Sequence, residues 1–270
     1  MTFLEKLEKR IETSGSRVCV GLDSVIEKLP KSYEKSIDSL LDFNKRIIEA
    51  THEHVLAYKP NIAFYEVLGT KGWDLLDKTL EFIPDDIITI ADAKRGDIGN
   101  TAAMYAKTFF ETYKFDSITV NPYMGFDSIE PYLKYENKGT IILGLTSNEG
   151  SEDFEELTLS SGKTLSERVA EKVNEWNKSN NCLLVIGATN KEKIEKMRSA
   201  SSDMYFLVPG IGAQGGSLED VLKYGGKNVI INSSRSIIYA SSESDFADIA
   251  KSETLKLKES INQTINNLSL

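Results

Sequence analysis

The sequence predicts an α/β protein folded as a (β/α)₈ barrel. Eight short apolar runs, each long enough for one strand, alternate with amphipathic helical stretches along 270 residues. Polar residues recur where those runs end, at Asp23, Lys59, Asp92, Lys94, Asn121, Ser147 and Arg235, which is the end of a barrel strand where active sites are built. No linker-like stretch divides the chain, so residues 1–270 read as a single domain. An open doubly wound sheet is the alternative packing of the same units.

A short N-terminal helix follows Thr2, with Leu4, Leu7 and Ile11 at helical spacing. Arg17–Leu22 is the first strand and ends at Asp23. Leu40, Phe43, Ile47 and Ile48 mark an amphipathic helix over 36–53. Val55–Pro60 is the second strand, closed by Lys59 and a proline. A helix over 72–82 precedes the third strand, 86–92, and 100–113 is helical again. Ser117–Val120 is the fourth strand, followed by a helix over 128–135 and a fifth strand, Thr140–Leu145. Residues 149–162 are acidic and serine-rich and read as a surface insertion. Helices at 164–176, 191–198 and 217–224 then alternate with strands at 182–186, 204–208 and 228–231. The last helix runs toward Leu270, with Leu257, Ile261 and Ile265 on one stripe.

Composition narrows the function. A net charge of −9 argues against a general nucleic-acid or anionic-membrane binder. No apolar run reaches the length of a membrane span. The two cysteines, Cys19 and Cys182, each lie in an apolar run and read as buried free thiols. The expected compartment is the cytoplasm. Two histidines close together, His52 and His54, offer neither a metal cluster nor a Ser-His-Asp relay.

Two constellations carry chemistry. In Ile88-Thr89-Ile90-Ala91-Asp92-Ala93-Lys94-Arg95-Gly96-Asp97, strand alternation places Asp92 and Lys94 on the face of Ile88 and Ile90. Charges on such a face are costly unless paired, and such pairs cluster at functional sites. Asp97 and Thr101, four apart at a helix start, project from one side. The second constellation is the loop Pro209-Gly210-Ile211-Gly212-Ala213-Gln214-Gly215-Gly216. It matches a dinucleotide glycine pattern, but some 20 residues on it meets Asn232, Ser233, Ser234 and Arg235 in place of the acid that would hold a ribose. Loops after the last two barrel strands, with an arginine, suit a phosphate.

The segment ADAKRGDIGNTA resembles the Asp-x-Lys-x-x-Asp signature of the orotidine 5′-phosphate decarboxylase family. The likeness continues in order through VGLD at Asp23, YKPN at Lys59, LTSN at Ser147, VPGIGAQGG at Gln214 and SSRSIIYA at Arg235, in the form of the longer bacterial branch. The resemblance implies a barrel homodimer that decarboxylates orotidine 5′-phosphate to uridine 5′-phosphate with neither metal nor organic cofactor. Lys94 is then the proton donor flanked by Asp92. Asp97 and Thr101 reach into the partner's site. Asp23 and Lys59 hold the ribose hydroxyls, with Lys59 counted in the catalytic set. Ser147 contacts the pyrimidine, and Gln214 and Arg235, with the backbone at Pro209, Gly210 and Ser234, bind phosphate, so that the 209–216 loop closes over it. Many shorter relatives carry glycine where this chain has Ser234.

Two other functions fit the same barrel. One is a Mg²⁺-dependent sugar-phosphate decarboxylase or aldolase using the carboxylates; the other is a non-catalytic nucleotide-phosphate sensor, in which Lys94 would have no chemical work.

Overall fold

The computed structural model describes residues 1–187, 190–211 and 216–270. Its elements alternate as expected: α1 (Phe3–Ser14), β1 (Val18–Gly21), α2 (Ile37–Thr51), β2 (Ala57–Lys59), α3 (Ala63–Glu66), α4 (Thr70–Leu80), β3 (Ile88–Arg95), α5 (Gly99–Lys107), β4 (Ser117–Val120), α6 (Phe126–Leu133) and β5 (Gly139–Leu145). The second half continues with α7 (Leu165–Trp176), β6 (Cys182–Ile186), α8 (Lys191–Ser201), β7 (Phe206–Pro209), α9 (Leu218–Gly225), β8 (Val229–Ser233), α10 (Arg235–Ile238) and α11 (Phe246–Leu268). The strands follow chain order in a closed barrel. The ladders are parallel, with Gly21 beside Lys59 and Val208 beside Ile231. The barrel forms, and the open sheet does not.

Contacts divide the chain into two compact units. The first comprises Lys6–Ala93 and Ser233–Asn262. Here Ser36 caps α2 by accepting the Ser39 N–H. The ring of Phe43 stacks on Phe246 at 5.0 Å and on Tyr239 at 5.8 Å. Asn44 is fully buried and satisfied: it accepts from the Ser24 hydroxyl and donates to Thr79. Arg10 of α1 is buried as well, donating to the carbonyls of Val55 and His52 and pairing with Asp86.

The second unit comprises Met1–Glu5, Lys94–Asn232 and Gln263–Leu270. Thr164 and Glu167 form a reciprocal capping box on α7. Phe3 occupies the space that a side chain at Gly139 would need, its ring 2.7 Å from the position of a Cβ there. Helix α5 runs on without a break into a π-turn at Thr108–Thr112, so the expected helix over 100–113 is present with its last turn widened. The acidic stretch at 149–162 has defined structure. Glu149–Asp153 form a 3₁₀ turn, Thr158 bridges to Thr164, and Glu156 pairs with Lys193 of α8.

Cys19 and Cys182 are buried and free. Among the described residues, no helix is long and apolar enough to cross a membrane.

Candidate functional site

In the first unit the ends of three consecutive strands bring Asp23, Lys59 and Asp92 into one electrostatic cluster. Gly21 of β1 lies in register with Lys59, and the Leu22 N–H donates to the Lys59 carbonyl, which places Asp23 just beyond. The chain after β2 stays zipped to β3: the Asp92 N–H donates to the Pro60 carbonyl, and the Asp92 carbonyl accepts from Ile62. The Lys59 ammonium donates to Asp92 Oδ2 at 2.7 Å, with the two side chains only 5% and 11% exposed. Burial opposes the charge on Lys59, but the carboxylates of Asp92 and Asp23 outweigh it and hold its pKa above the ordinary lysine value. The Cys19 thiol nearby is pushed up to about 12, chiefly by burial, and is therefore unreactive. Asp23 Oδ1 is buried with no hydrogen-bond partner, its compensation coming from the charge of Lys59.

The second unit holds Lys94, and here the expected geometry needs correcting. Strand β3 runs on to Arg95, three residues past the expected end. Alternation holds through Asp92 and breaks at Lys94, whose φ of +47° is left-handed. Non-glycine residues in that region are uncommon and concentrate at functional sites. The Lys94 N–H donates to Thr119 Oγ1 of β4 at 2.9 Å, and Thr119 is itself buried. Lys94 is exposed, while Arg95 turns aside to lie over the rings of Tyr105 and Phe109. Asp97 and Thr101 are not successive turns of one helix. Asp97 precedes α5, its Oδ1 accepting the Ile98 N–H at 2.8 Å, while Thr101 lies inside α5 on the exposed surface. The reason is Gly99, whose φ of +56° reorients the chain as the helix begins.

The remaining expected residues divide as follows. Ser147 stands two residues past β5 and is half-buried. Pro209 ends β7, and Gly210 follows with a φ of +86° that favours glycine. Gln214 lies outside the described residues. In the first unit, Arg235 opens α10 and is exposed, with Ser234 before it. A Cβ at position 21 would sit 1.8 Å from Ser234 Oγ; Gly21 therefore leaves the space that the serine occupies. Among the described residues, no three His, Cys, Asp or Glu side chains gather as a metal-binding group.

Sequence reasoning did not single out Thr119. Its signal was a polar residue in the interior of the apolar strand Ser-Ile-Thr-Val, which has value only once Lys94 is seen to need a backbone partner.

A closed barrel with a lysine–carboxylate cluster and a left-handed lysine at strand C-terminal ends defines a barrel enzyme. Residues 16–247 match the orotidine 5′-phosphate decarboxylase / HUMPS family, and the chain belongs to it. It is 53% identical to the orotidine 5′-phosphate decarboxylase of Christiangramia forsetii, covering 91% of this chain and 92% of that one. The corresponding protein of Flavobacterium johnsoniae is 49% identical, covering 97% and 98%. Among solved structures, Leishmania donovani OMP decarboxylase superposes with a TM-score of 0.86 at 36% identity, covering 98% of each chain.

Proposed function

We propose that this chain decarboxylates orotidine 5′-phosphate to uridine 5′-phosphate, the UMP-forming step of pyrimidine biosynthesis. In that reaction the bond from C6 of the pyrimidine to the carboxylate breaks, CO₂ leaves, and the electron pair stays on C6 as a poorly stabilised carbanion. A preorganised positive charge at that atom is what an enzyme must supply. Lys94 provides it and delivers the proton to C6. The observation that carries this assignment is the left-handed Lys94 backbone, held by Thr119 two residues beyond the buried Lys59–Asp92 pair.

The other roles follow the chemistry of each side chain. Asp23, with its unpartnered buried oxygen, and Lys59 hold the ribose hydroxyls. Asp92 holds Lys59 and flanks Lys94. Ser147 faces the pyrimidine. Arg235, Gln214 and the backbone at Pro209, Gly210 and Ser234 take the phosphate, a group remote from C6 whose binding energy orders the site. Asp97 and Thr101 serve the site of a second copy in a homodimer, and Asp97 there sets an anion beside the substrate carboxylate, disfavouring the ground state. Support for the dimer comes from the exposure of this stretch: Ile98, just before α5, and Met104 within it are 51% and 59% exposed, and Tyr123, Met124 and Phe126 are exposed as well, apolar surface that a second copy would cover. The two free thiols support a cytoplasmic enzyme.

Loss of orotate absorbance in a solution of orotidine 5′-phosphate and the protein, at the same rate with and without EDTA, is the expected outcome. Activity that disappears with the chelator favours a Mg²⁺-dependent sugar-phosphate enzyme, and tight binding of UMP without turnover favours a sensor. Sedimentation at twice the chain mass tests the dimer.

A further inference from the structure

The acidic stretch at 149–162 takes no part in the roles above, yet one of its carboxylates is aimed at the turn that carries Ser147. Glu155 accepts the Thr146 N–H at 2.6 Å on one oxygen and lies 2.8 Å from the Thr146 hydroxyl with the other. That hydroxyl is also 2.7 Å from Asn148 Oδ1, so Thr146 links the carboxylate to the far end of the turn Thr146-Ser147-Asn148. Glu155 is itself held by its main chain. Its N–H donates to the Ser151 carbonyl, and its carbonyl accepts from Ser166 at the start of α7. The side chain is therefore presented from a defined position. Charge-assisted bonds of this kind are about twice as strong as neutral ones.

Gly187, directly after β6, packs against the same turn. A Cβ there would lie 2.9 Å from Ser147 N and 3.0 Å from Ser147 Cβ, and the Gly187 N–H donates to the Leu145 carbonyl at 2.8 Å. Ser147 thus follows a residue held by a carboxylate and packs its own backbone against a glycine. Glu155 also borders a cavity of about 610 Å³ at the ends of β4 and β5, lined in part by Asn121, Tyr123, Leu143 and Phe154.

We propose that Glu155 is a positioning residue for pyrimidine recognition: it holds the Thr146–Ser147 turn so that Ser147 meets the base, and it acts on binding of the base and not on binding of the ribose phosphate. This rests on the assignment of Ser147 to the pyrimidine.

The test compares UMP with ribose 5-phosphate, which lacks the base, by calorimetry. Glu155→Ala is expected to weaken UMP about tenfold, to leave ribose 5-phosphate within twofold, and to raise KM for orotidine 5′-phosphate with kcat within threefold. Glu155→Gln is expected to stay near the wild type. Its amide oxygen can accept the Thr146 N–H, and its NH₂ can donate to a hydroxyl that turns to donate to Asn148. Gly187→Ala, which presses on the Ser147 backbone, provides a second route to the same selective loss if Glu155→Ala does not fold. Equal weakening of both ligands, or no weakening of UMP, overturns the proposal. A wild-type protein that binds UMP no better than ribose 5-phosphate overturns the assignment of Ser147 instead, so the two failures are distinguishable.

Discussion

Lys59 and Lys94 lie at the ends of adjacent strands, and the protein treats them in opposite ways. Lys59 is buried, ion-paired to Asp92 at 2.7 Å and held charged by two carboxylates. Lys94 is exposed, and its constraint is in the backbone, a left-handed φ secured by Thr119. An ammonium locked into a buried pair is suited to fixing a substrate group and its neighbours. An exposed one on a constrained backbone has its point of departure fixed by the main chain. The difference shows that a lysine can be positioned through its side chain, as Lys59 is, or through its main chain, as Lys94 is.

The largest expected effect falls on the second lysine. Lys94→Ala should lower kcat by about 10⁴-fold, the upper range for a positioned proton donor, while UMP binding measured by calorimetry changes little. Turnover within tenfold of the wild type would refute the proton-donor role. On the first lysine the loss should appear in stability. Asp92→Asn leaves a buried ammonium without its closest partner and should cost about 3 kcal/mol in urea unfolding, as broken buried pairs do. The double change Lys59→Met, Asp92→Leu should recover most of that stability and none of the activity; if it recovers both, the pair is structural only.

Thr119→Val sharpens the contrast from the backbone side. It removes one hydrogen bond worth about 1 kcal/mol and should lower kcat roughly fivefold, with Thr119→Ser restoring it and the melting temperature nearly constant. A change in KM alone would mean that Thr119 does not act through Lys94. A separate effect concerns pH. Cys19 and Cys182 are both raised to about 12 by burial. Below their unfolded pKa, near 9, the thiols are protonated in both states and stability is unaffected. Above it the unfolded chain loses protons that the folded chain keeps, so stability falls as pH rises toward 12. Melting curves from pH 8 to 11 should show that decline, and it should be shallower in the Cys19→Ala, Cys182→Ala variant.

Much of the molecule was legible beforehand because local periodicity and burial agree. The run Cys182–Ile186 is buried at every position, and a parallel barrel strand needs little else to declare itself. The helix starts near Ser36, Thr164 and Ser217 were equally readable, and in the structure each of these hydroxyls caps its helix. The charged motif from Asp92 to Asp97 marked a candidate site because the alternation placed its charges on a core-facing strand, whereas Lys94 in fact leaves that face.

What the sequence by itself determined, then, was the barrel, its strand order and the residue types at the strand ends, all of which follow from short-range pattern. Tertiary structure alone decided how those residues are held. Lys94 leaves the alternation because a neighbouring strand offers Thr119 to its N–H. Lys59 stays charged because Asp23 and Asp92 arrive from two other strands. Glu155, one acid among many in a surface stretch, becomes distinct because Thr146 is there to receive it. Each is a contact between residues 9 or more positions apart, and periodicity along one element carries no information about what the next element will present.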